Sequence, residues 1–123
     1  MRAYVPVGWA QLAELDRSGE LAGPLAAVGV DPQWRLDAEQ VDEEEWEYEA
    51  QSLAAEALPS PGGVVLAVDV DDDPAPVLDD GRFTLEQVLR RRQVAAVLDQ
   101  DLAWFGVQEI AALIAARSDD ARA

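Results

Sequence analysis

Residues 64–70 read VVLAVDV, a short run in which all residues but one are apolar and most are β-branched. Proline and glycine precede the run, and aspartates and prolines follow it. An almost unbroken apolar run of this length between turn residues is typical of a strand that is buried on both faces. The sequence is therefore predicted to fold around a central strand at this position.

Other segments are predicted to form the strands that pair with this central strand and the helices that pack on the sheet. β-Forming or apolar runs predict strands at residues 2–7, 25–30, 93–98 and 102–107, the last two as a pair joined by a tight turn. Pro6 is expected to close the first strand or to place it at a sheet edge. Helical spacing predicts helices from residues 9, 42, 84 and 109, and one helical turn through Trp34. The predicted fold class is α+β, a two-layer α/β sandwich of about five strands covered by three or four helices.

The chain length and the composition of the last residues indicate the number of domains and the extent of the folded part. With 123 residues, the chain has the size of one ordinary domain, and we find no repeat or interdomain linker. The last six residues read SDDARA, a polar segment that is expected to fray. Residues 1–117 are therefore predicted to form a single globular domain and residues 118–123 a frayed C-terminal tail.

The most acidic segment, VDEEEWEYEA at residues 41–50, has the pattern of a helix start. With Asp42 as N-cap, Glu45 falls at the third helical position and completes a capping box, while Val41 and Trp46 form a hydrophobic staple. Glutamates in the first turn are also favoured by the positive end of the helix dipole. An alternative start lies at Asp37, so the boundary stays open while the helix itself is predicted.

A second capping pattern occurs at residues 83–92, FTLEQVLRRR. Thr84 is placed as N-cap, Gln87 at the third position, and Phe83 and Val88 as a staple, which predicts a helix of about two turns. The arginine triplet then falls in the last turn, where cations complement the carbonyl end. The alternative is that this triplet pairs with a phosphate or with the protein's own acidic surface.

Charge and missing residue types exclude several functions. The formal net charge is -16, and the chain has neither cysteine nor histidine. Disulfides, thiolate nucleophiles, imidazole bases and the usual zinc sites are therefore excluded, and direct nucleic-acid binding is disfavoured by repulsion. No signal peptide or membrane span is recognisable, so a cytoplasmic location is expected. A basic protein surface is the predicted kind of partner, and the oligomeric state is left open.

The acidic helix start and nearby aromatic residues form the candidate partner surface. Its predicted members are Glu43, Glu44, Glu47, Tyr48 and Trp104. Tyr48 points away from the apolar stripe of its helix, so it is either covered by a loop or exposed. Trp104 and Phe105 face opposite sides of a strand, and an uncovered one would mark a partner surface. Trp34 and Trp46 are further candidates for partner anchors.

Two other functions are weighed against an interaction domain. Asp69 and Asp71 at the end of the central strand could hold a hard cation such as Mg²⁺, which would suit a metal binder or a carboxylate-dependent enzyme. An acidic domain could also mimic a nucleic acid and occupy a basic groove. We find no catalytic serine motif, phosphate loop or dinucleotide fingerprint, so no catalytic residue and no cofactor is predicted. The leading prediction is a noncatalytic interaction or regulatory domain.

Short motifs across the chain resemble a known family. They are MRAYVP at residues 1–6, GEL at 19–21, EEEWEY at 43–48, VAAV at 94–97 and WFGVQE at 104–109. On these motifs the chain resembles small, acidic proteins of high-GC Gram-positive bacteria that form a domain of unknown function. Members often carry a histidine after the VAAV segment, where Leu98 stands here. The resemblance implies a shared fold and supplies no reaction or cofactor.

Overall fold

The structure is a computed structural model that describes residues 1–37, 42–59, 62–71 and 76–122. The strands are β1 (Arg2–Gly8), β2 (Glu20–Leu21), β3 (Leu25–Gly29), β4 (Gly63–Asp69), β5 (Arg82–Leu85), β6 (Leu89–Arg90), β7 (Val94–Leu98) and β8 (Trp104–Phe105). The helices are α1 (Trp9–Ser18), α2 (Pro32–Asp37), α3 (Glu43–Glu56) and α4 (Ile110–Arg122), and short 3₁₀ turns cover residues 91–93 and 107–109.

Strand β4 occupies the interior of the main sheet, as its apolar run predicts. The order is β5-β3-β1-β4-β7-β8, and all neighbouring strands are antiparallel. Val64, Leu66 and Val68 pack into the core on one face of the sheet, whereas Val65 and Ala67 pack into the core on the other. Alternate side chains of a strand point to opposite faces, so the continuous apolar run is explained by cover on both.

Helices supply that cover on each face. Helices α1 and α4 pack on the first face through Leu12, Leu15 and Ile110, all fully buried. Helix α3 packs on the second face through Ala50 and Ala54, whose small side chains let the helix approach the sheet closely. The α+β class with helices covering a sheet is confirmed, and the main sheet has six strands within the described residues.

Strand β1 differs from the expectation for Pro6. The strand continues through Pro6 to Gly8 and lies between β3 and β4, so the proline neither ends it nor places it at an edge. The β1–β3 pairing includes Ala3 and Tyr4, whereas the β1–β4 pairing extends from Arg2 to Gly8. Pro6 therefore lies beyond the described β3 ladder, where a missing amide hydrogen breaks no bond to that strand.

Helix α3 is confirmed, and it begins at Glu43 with Asp42 as N-cap. The amide groups of Glu45 and Trp46 donate to the backbone oxygen of Asp42. The Asp42 side chain makes no capping hydrogen bond, so the predicted capping box is wrong. Val41, the other half of the predicted staple, lies outside the described residues, and Asp37 ends α2 rather than starting α3.

The predicted helix from Thr84 is wrong. Residues 82–85 form β5 and residues 89–90 form β6, and a 3₁₀ turn includes Arg91 and Arg92. Strand β5 pairs with β3 in the register Leu25↔Leu85. Leu85 is thereby buried in the core, and this tertiary pairing outweighs a capping pattern that is worth about 1 kcal/mol.

The hairpin near the C-terminus and the end of the first helix follow their predictions. Strands β7 and β8 pair as a hairpin in the register Leu98↔Trp104. Helix α1 ends at Gly19, whose φ of 78° is readily adopted by glycine and whose amide donates to the Leu15 oxygen at 2.8 Å. Among the described helices, none combines the length and apolar character needed to cross a bilayer.

Candidate functional site

A groove of about 590 Å³ lies between the first turns of α3 and the sheet. We call it the acidic groove. Helix α3 contributes five of its lining residues, β1 contributes two, and β4 and β8 contribute one each. These residues are Glu43, Glu44, Glu47, Tyr48, Gln51, Arg2, Tyr4, Asp69 and Trp104.

The spacing of the helical residues explains why they share one wall. At 3.6 residues per turn, positions 43, 44, 47, 48 and 51 fall within an arc of about 140° on one flank of the helix. The sheet wall follows from strand register, since Arg2 of β1 is directly opposite Asp69 of β4. The pairing Leu98↔Trp104 then brings the indole of β8 to the same opening.

Tyr4 joins the sheet to the helix at the base of the groove. Its phenol donates a 2.5 Å hydrogen bond to Oε2 of Glu47 and accepts a 3.3 Å hydrogen bond from Nε2 of Gln51. Burial raises the pKa of Tyr4 to about 12, because the phenolate would lose its hydration and would face the Glu47 carboxylate, while the Gln51 donor opposes this rise. Tyr4 is therefore a neutral donor that fixes the position of Glu47.

Arg2 and Asp69 form an ion pair across the two central strands. The Arg2 Nε donates to Oδ1 of Asp69 at 2.9 Å, and both side chains are substantially exposed. Among the described lining residues of the acidic groove, Arg2 is the only basic one, against the carboxylates of Glu43, Glu44, Glu47 and Asp69. These residues together carry a formal charge of −3, which favours a cation over an anion as ligand.

Two exposed aromatic side chains complete the lining. Tyr48 is 60% exposed and Trp104 is 53% exposed, both large values for aromatic residues. Phe105, the neighbour of Trp104, packs instead against the core on the other face of the sheet. Aromatic faces attract ammonium and guanidinium groups, so the acidic groove combines carboxylates with two surfaces suited to a cation.

All five residues of the predicted partner surface line this one groove, although their role in binding stays a prediction. The two metal candidates line different grooves: Asp69 lines the acidic groove, whereas Asp71 lines another groove, of about 270 Å³, near Phe83. Within the described ranges, no group of three or more acidic side chains is arranged to hold a metal ion.

Sequence reasoning missed three residues of the acidic groove. The sequence places Arg2 and Tyr4 in a strand and in the MRAYVP motif but indicates no role in a site for either of them, and it indicates none for Gln51. Residues 2 and 4 alternate with the core residues Ala3 and Val5. This period-two pattern places Arg2 and Tyr4 on one face, but which helix covers that face depends on tertiary packing.

The fold and the groove define a small α+β domain with an acidic surface cleft. A family model described as a family of unknown function, DUF6912, matches residues 1–100, and the chain belongs to this family. The predicted resemblance to a domain of unknown function is thereby confirmed. Neither a curated protein nor a solved structure shows significant similarity to the chain.

Proposed function

We propose that this protein is a noncatalytic interaction domain whose acidic groove binds a basic side chain of a partner protein. The observation that carries the proposal is the composition of the groove: its described lining includes four carboxylates, two exposed aromatic rings and a single arginine. The same proposal includes an origin in a high-GC Gram-positive bacterium, which the sequence resemblance implies, and a cytoplasmic location, which is expected because no signal peptide or membrane span is recognisable in the sequence.

The groove supplies two kinds of attraction to a cation. Glu44 and Glu47 can accept charge-assisted hydrogen bonds, while the rings of Tyr48 and Trp104 can contact the flat or methylene surface of the incoming side chain. Because Tyr4 already holds Glu47 in place, less conformational entropy is lost on binding. The net charge of -16 would steer a basic partner toward the domain from a distance.

The site is better suited to binding a single basic side chain than to mimicking a nucleic acid. A nucleic-acid mimic must present negative charges along an extended surface, whereas here the carboxylates converge on one cleft with aromatic walls. The metal-binding alternative is weakened because Asp69 is paired with Arg2 and lines a different groove from Asp71. We therefore retain the interaction domain as the proposed function.

Binding of defined peptides tests the proposal. Oligo-arginine and oligo-lysine peptides of equal length are titrated into the protein, with oligo-glutamate as the control for nonspecific association. We expect the basic peptides to bind, the affinity to fall as salt is raised, and oligo-glutamate not to bind. Absence of saturable binding by either basic peptide at low salt would overturn the proposal.

Substitutions on α3 distinguish binding in the acidic groove from attraction by the net charge of the protein. Glu44→Gln combined with Tyr48→Ala removes one carboxylate and one ring from the groove, and we expect the affinity to fall about fivefold or more, equivalent to about 1 kcal/mol. Glu56→Gln removes the same charge from an exposed position of α3 outside the groove. Equal weakening by the double variant and by this control would show that binding depends on net charge alone.

A further inference from the structure

A second groove lies on the opposite flank of α3. It encloses about 380 Å³ and is lined by Trp34, Glu45, Trp46, Glu49 and Asp80. We call it the tryptophan groove. Residues 45, 46 and 49 are centred about 180° around the helix from the residues of the acidic groove. Helix α3 therefore forms a ridge with one groove on each side.

Two indole rings form the apolar part of the tryptophan groove. The ring centroids of Trp34 and Trp46 are 6.0 Å apart, and the ring planes are inclined by 31°. Trp34 packs against the core on the α3 face of the sheet, and Trp46 is half-buried. Rings held in this way offer preformed surfaces on which a flat cation can stack.

Hydrogen bonds hold Trp34 in place at the side of the tryptophan groove. Nε1 of Trp34 donates to Oδ1 of Asp80 at 2.9 Å. Asp31 links the start of α2 to the same turn, because its Oδ1 accepts from the Gln33 amide at 2.9 Å and its Oδ2 accepts from the Gly81 amide at 3.2 Å. A Cβ on Gly81 would lie 2.9 Å from Cη2 of Trp34, so glycine is required for this close packing.

The charges of the tryptophan groove also favour a cation. Glu45, Glu49 and Asp80 line it, and no basic residue is among its described lining residues. Arg82, which is not among the described lining residues, forms an ion pair with Asp80, and the distance from Nη1 of Arg82 to Oδ2 of Asp80 is 3.8 Å. Both side chains are more than half exposed, so this ion pair is loose. Such exposed pairs contribute little and exchange readily with other partners.

We propose that the tryptophan groove is a second cation site, and that its occupant is an arginine guanidinium of the same basic partner. A guanidinium is planar, stacks on indole faces and donates from its edge to carboxylates, whereas an ammonium is a compact and strongly hydrated charge. The identity of the partner rests on the proposed function of the acidic groove. The site itself rests on its own rings, carboxylates and volume.

The two sites, one on each side of helix α3, determine the spacing that two arginines of the partner must have. A helix with its side chains is about 10–12 Å wide, so the two bound cations are separated by at least that distance. An extended chain advances about 3.3–3.6 Å per residue, and two arginines separated by three residues can therefore straddle the ridge. Once the first arginine is bound, the second binds intramolecularly at a high effective concentration.

Indole NMR signals distinguish the two grooves in one titration. The chain has four tryptophans: Trp104 reports on the acidic groove, Trp34 and Trp46 report on the tryptophan groove, and Trp9 lies against the core with its Nε1 buried. Single Trp→Phe variants assign the signals. We expect the peptide Ac-Arg-Gly-Gly-Gly-Arg-NH₂ to shift the signals of both grooves and to leave that of Trp9 unchanged.

Peptide variants and protein variants decide between the outcomes. We expect the two-arginine peptide to bind at least tenfold more tightly than Ac-Arg-Gly-Gly-Gly-Gly-NH₂. The double variant Glu45→Gln with Glu49→Gln should abolish this gain in affinity. The control variant Glu56→Gln should preserve it. If only the Trp104 signal responds, the second site is overturned and the proposed function stands. If only Trp34 and Trp46 respond, the proposed function fails while the second site stands.

Two further results would also overturn the inference. Equal responses of Trp34 and Trp46 to the matched lysine peptide would exclude a preference for guanidinium. Equal affinities of the one-arginine and two-arginine peptides would exclude a partner that straddles the helix.

Discussion

The phenol of Tyr4 donates a 2.5 Å hydrogen bond to Oε2 of Glu47, joining the sheet interior to the helix that carries the acidic groove. The two residues are 43 positions apart in the sequence. Tyr4 is almost fully buried, whereas Glu47 lies at the groove wall, so one hydrogen bond couples the core to the candidate site. The fold therefore determines where this carboxylate is presented.

Tyr4→Phe is expected to destabilise the protein by about 1–3 kcal/mol, because the change leaves the buried Gln51 amide without its acceptor and Glu47 without its donor. Urea unfolding followed by circular dichroism measures the effect. Tyr48→Phe removes the same hydroxyl from an exposed side chain of α3 and should change stability by less than about 0.5 kcal/mol. Equal midpoints for the two variants would contradict a structural role for the Tyr4 hydrogen bonds.

The ionisation of Tyr4 should be displaced to high pH. In the Tyr48→Phe variant the only tyrosine left is Tyr4, so absorbance at the tyrosinate band should report a pKa of about 12. The native state binds this proton more tightly than the unfolded state, whose ordinary value is 10.0. The resulting stabilisation is fully present below pH 10 and is lost as pH rises toward 12.

That titration has an internal check. Unfolding the Tyr48→Phe variant in denaturant should return the midpoint to the ordinary tyrosine value. A folded-state midpoint equal to the unfolded one would show that the Tyr4 hydroxyl is exposed to water.

Leu66→Ala should be among the most destabilising changes in the core. Leu66 is fully buried at the middle of β4, and a leucine-to-alanine change at such a site costs about 2–5 kcal/mol. Leu36→Ala makes the same change at a side chain that is 78% exposed and should cost less than about 0.5 kcal/mol. Chemical denaturation of both variants measures the difference, and similar losses would contradict the central position of β4.

Gly63→Ala should prevent normal pairing of β4 with β1. A Cβ on Gly63 would lie 1.9 Å from the backbone oxygen of Val7, which only a movement of the strands can relieve. Gly19→Ala is the matched control: nothing lies within 4 Å of its Cβ, and only the positive φ of 78° is unfavourable, at about 1 kcal/mol. Thermal unfolding should show a much larger loss for Gly63→Ala, and equal losses would contradict this strand contact.

Most of the fold could be predicted where the pattern of one segment dictates its structure. The apolar run of residues 64–70 allows few alternatives to a buried strand, and Gly19 at the end of an amphipathic segment marks a helix end. The segment from residue 82 shows the opposite case. Phe83 and Leu85 alternate with Arg82 and Thr84 as in a strand, but the capping pattern at Thr84 favoured a helix.

The candidate site could be predicted only in part. The residues on α3 share a helix flank, which helical periodicity alone can reveal. Arg2 and Asp69 become neighbours through the register of β1 against β4, and no local pattern encodes which residues of two distant strands are opposite each other. The same reason explains why Tyr4 was missed.

The central position of β1 also constrains how the protein is made. Arg2 and Asp69, which bond across β1 and β4, are 67 positions apart in the sequence, and the shorter ladder with β3 involves only the first part of β1. During synthesis, the first strand must wait until β4 has left the ribosome before it gains its longest partner. The nascent N-terminal half therefore exposes an apolar strand for several seconds at ordinary elongation rates of about 5–20 residues per second.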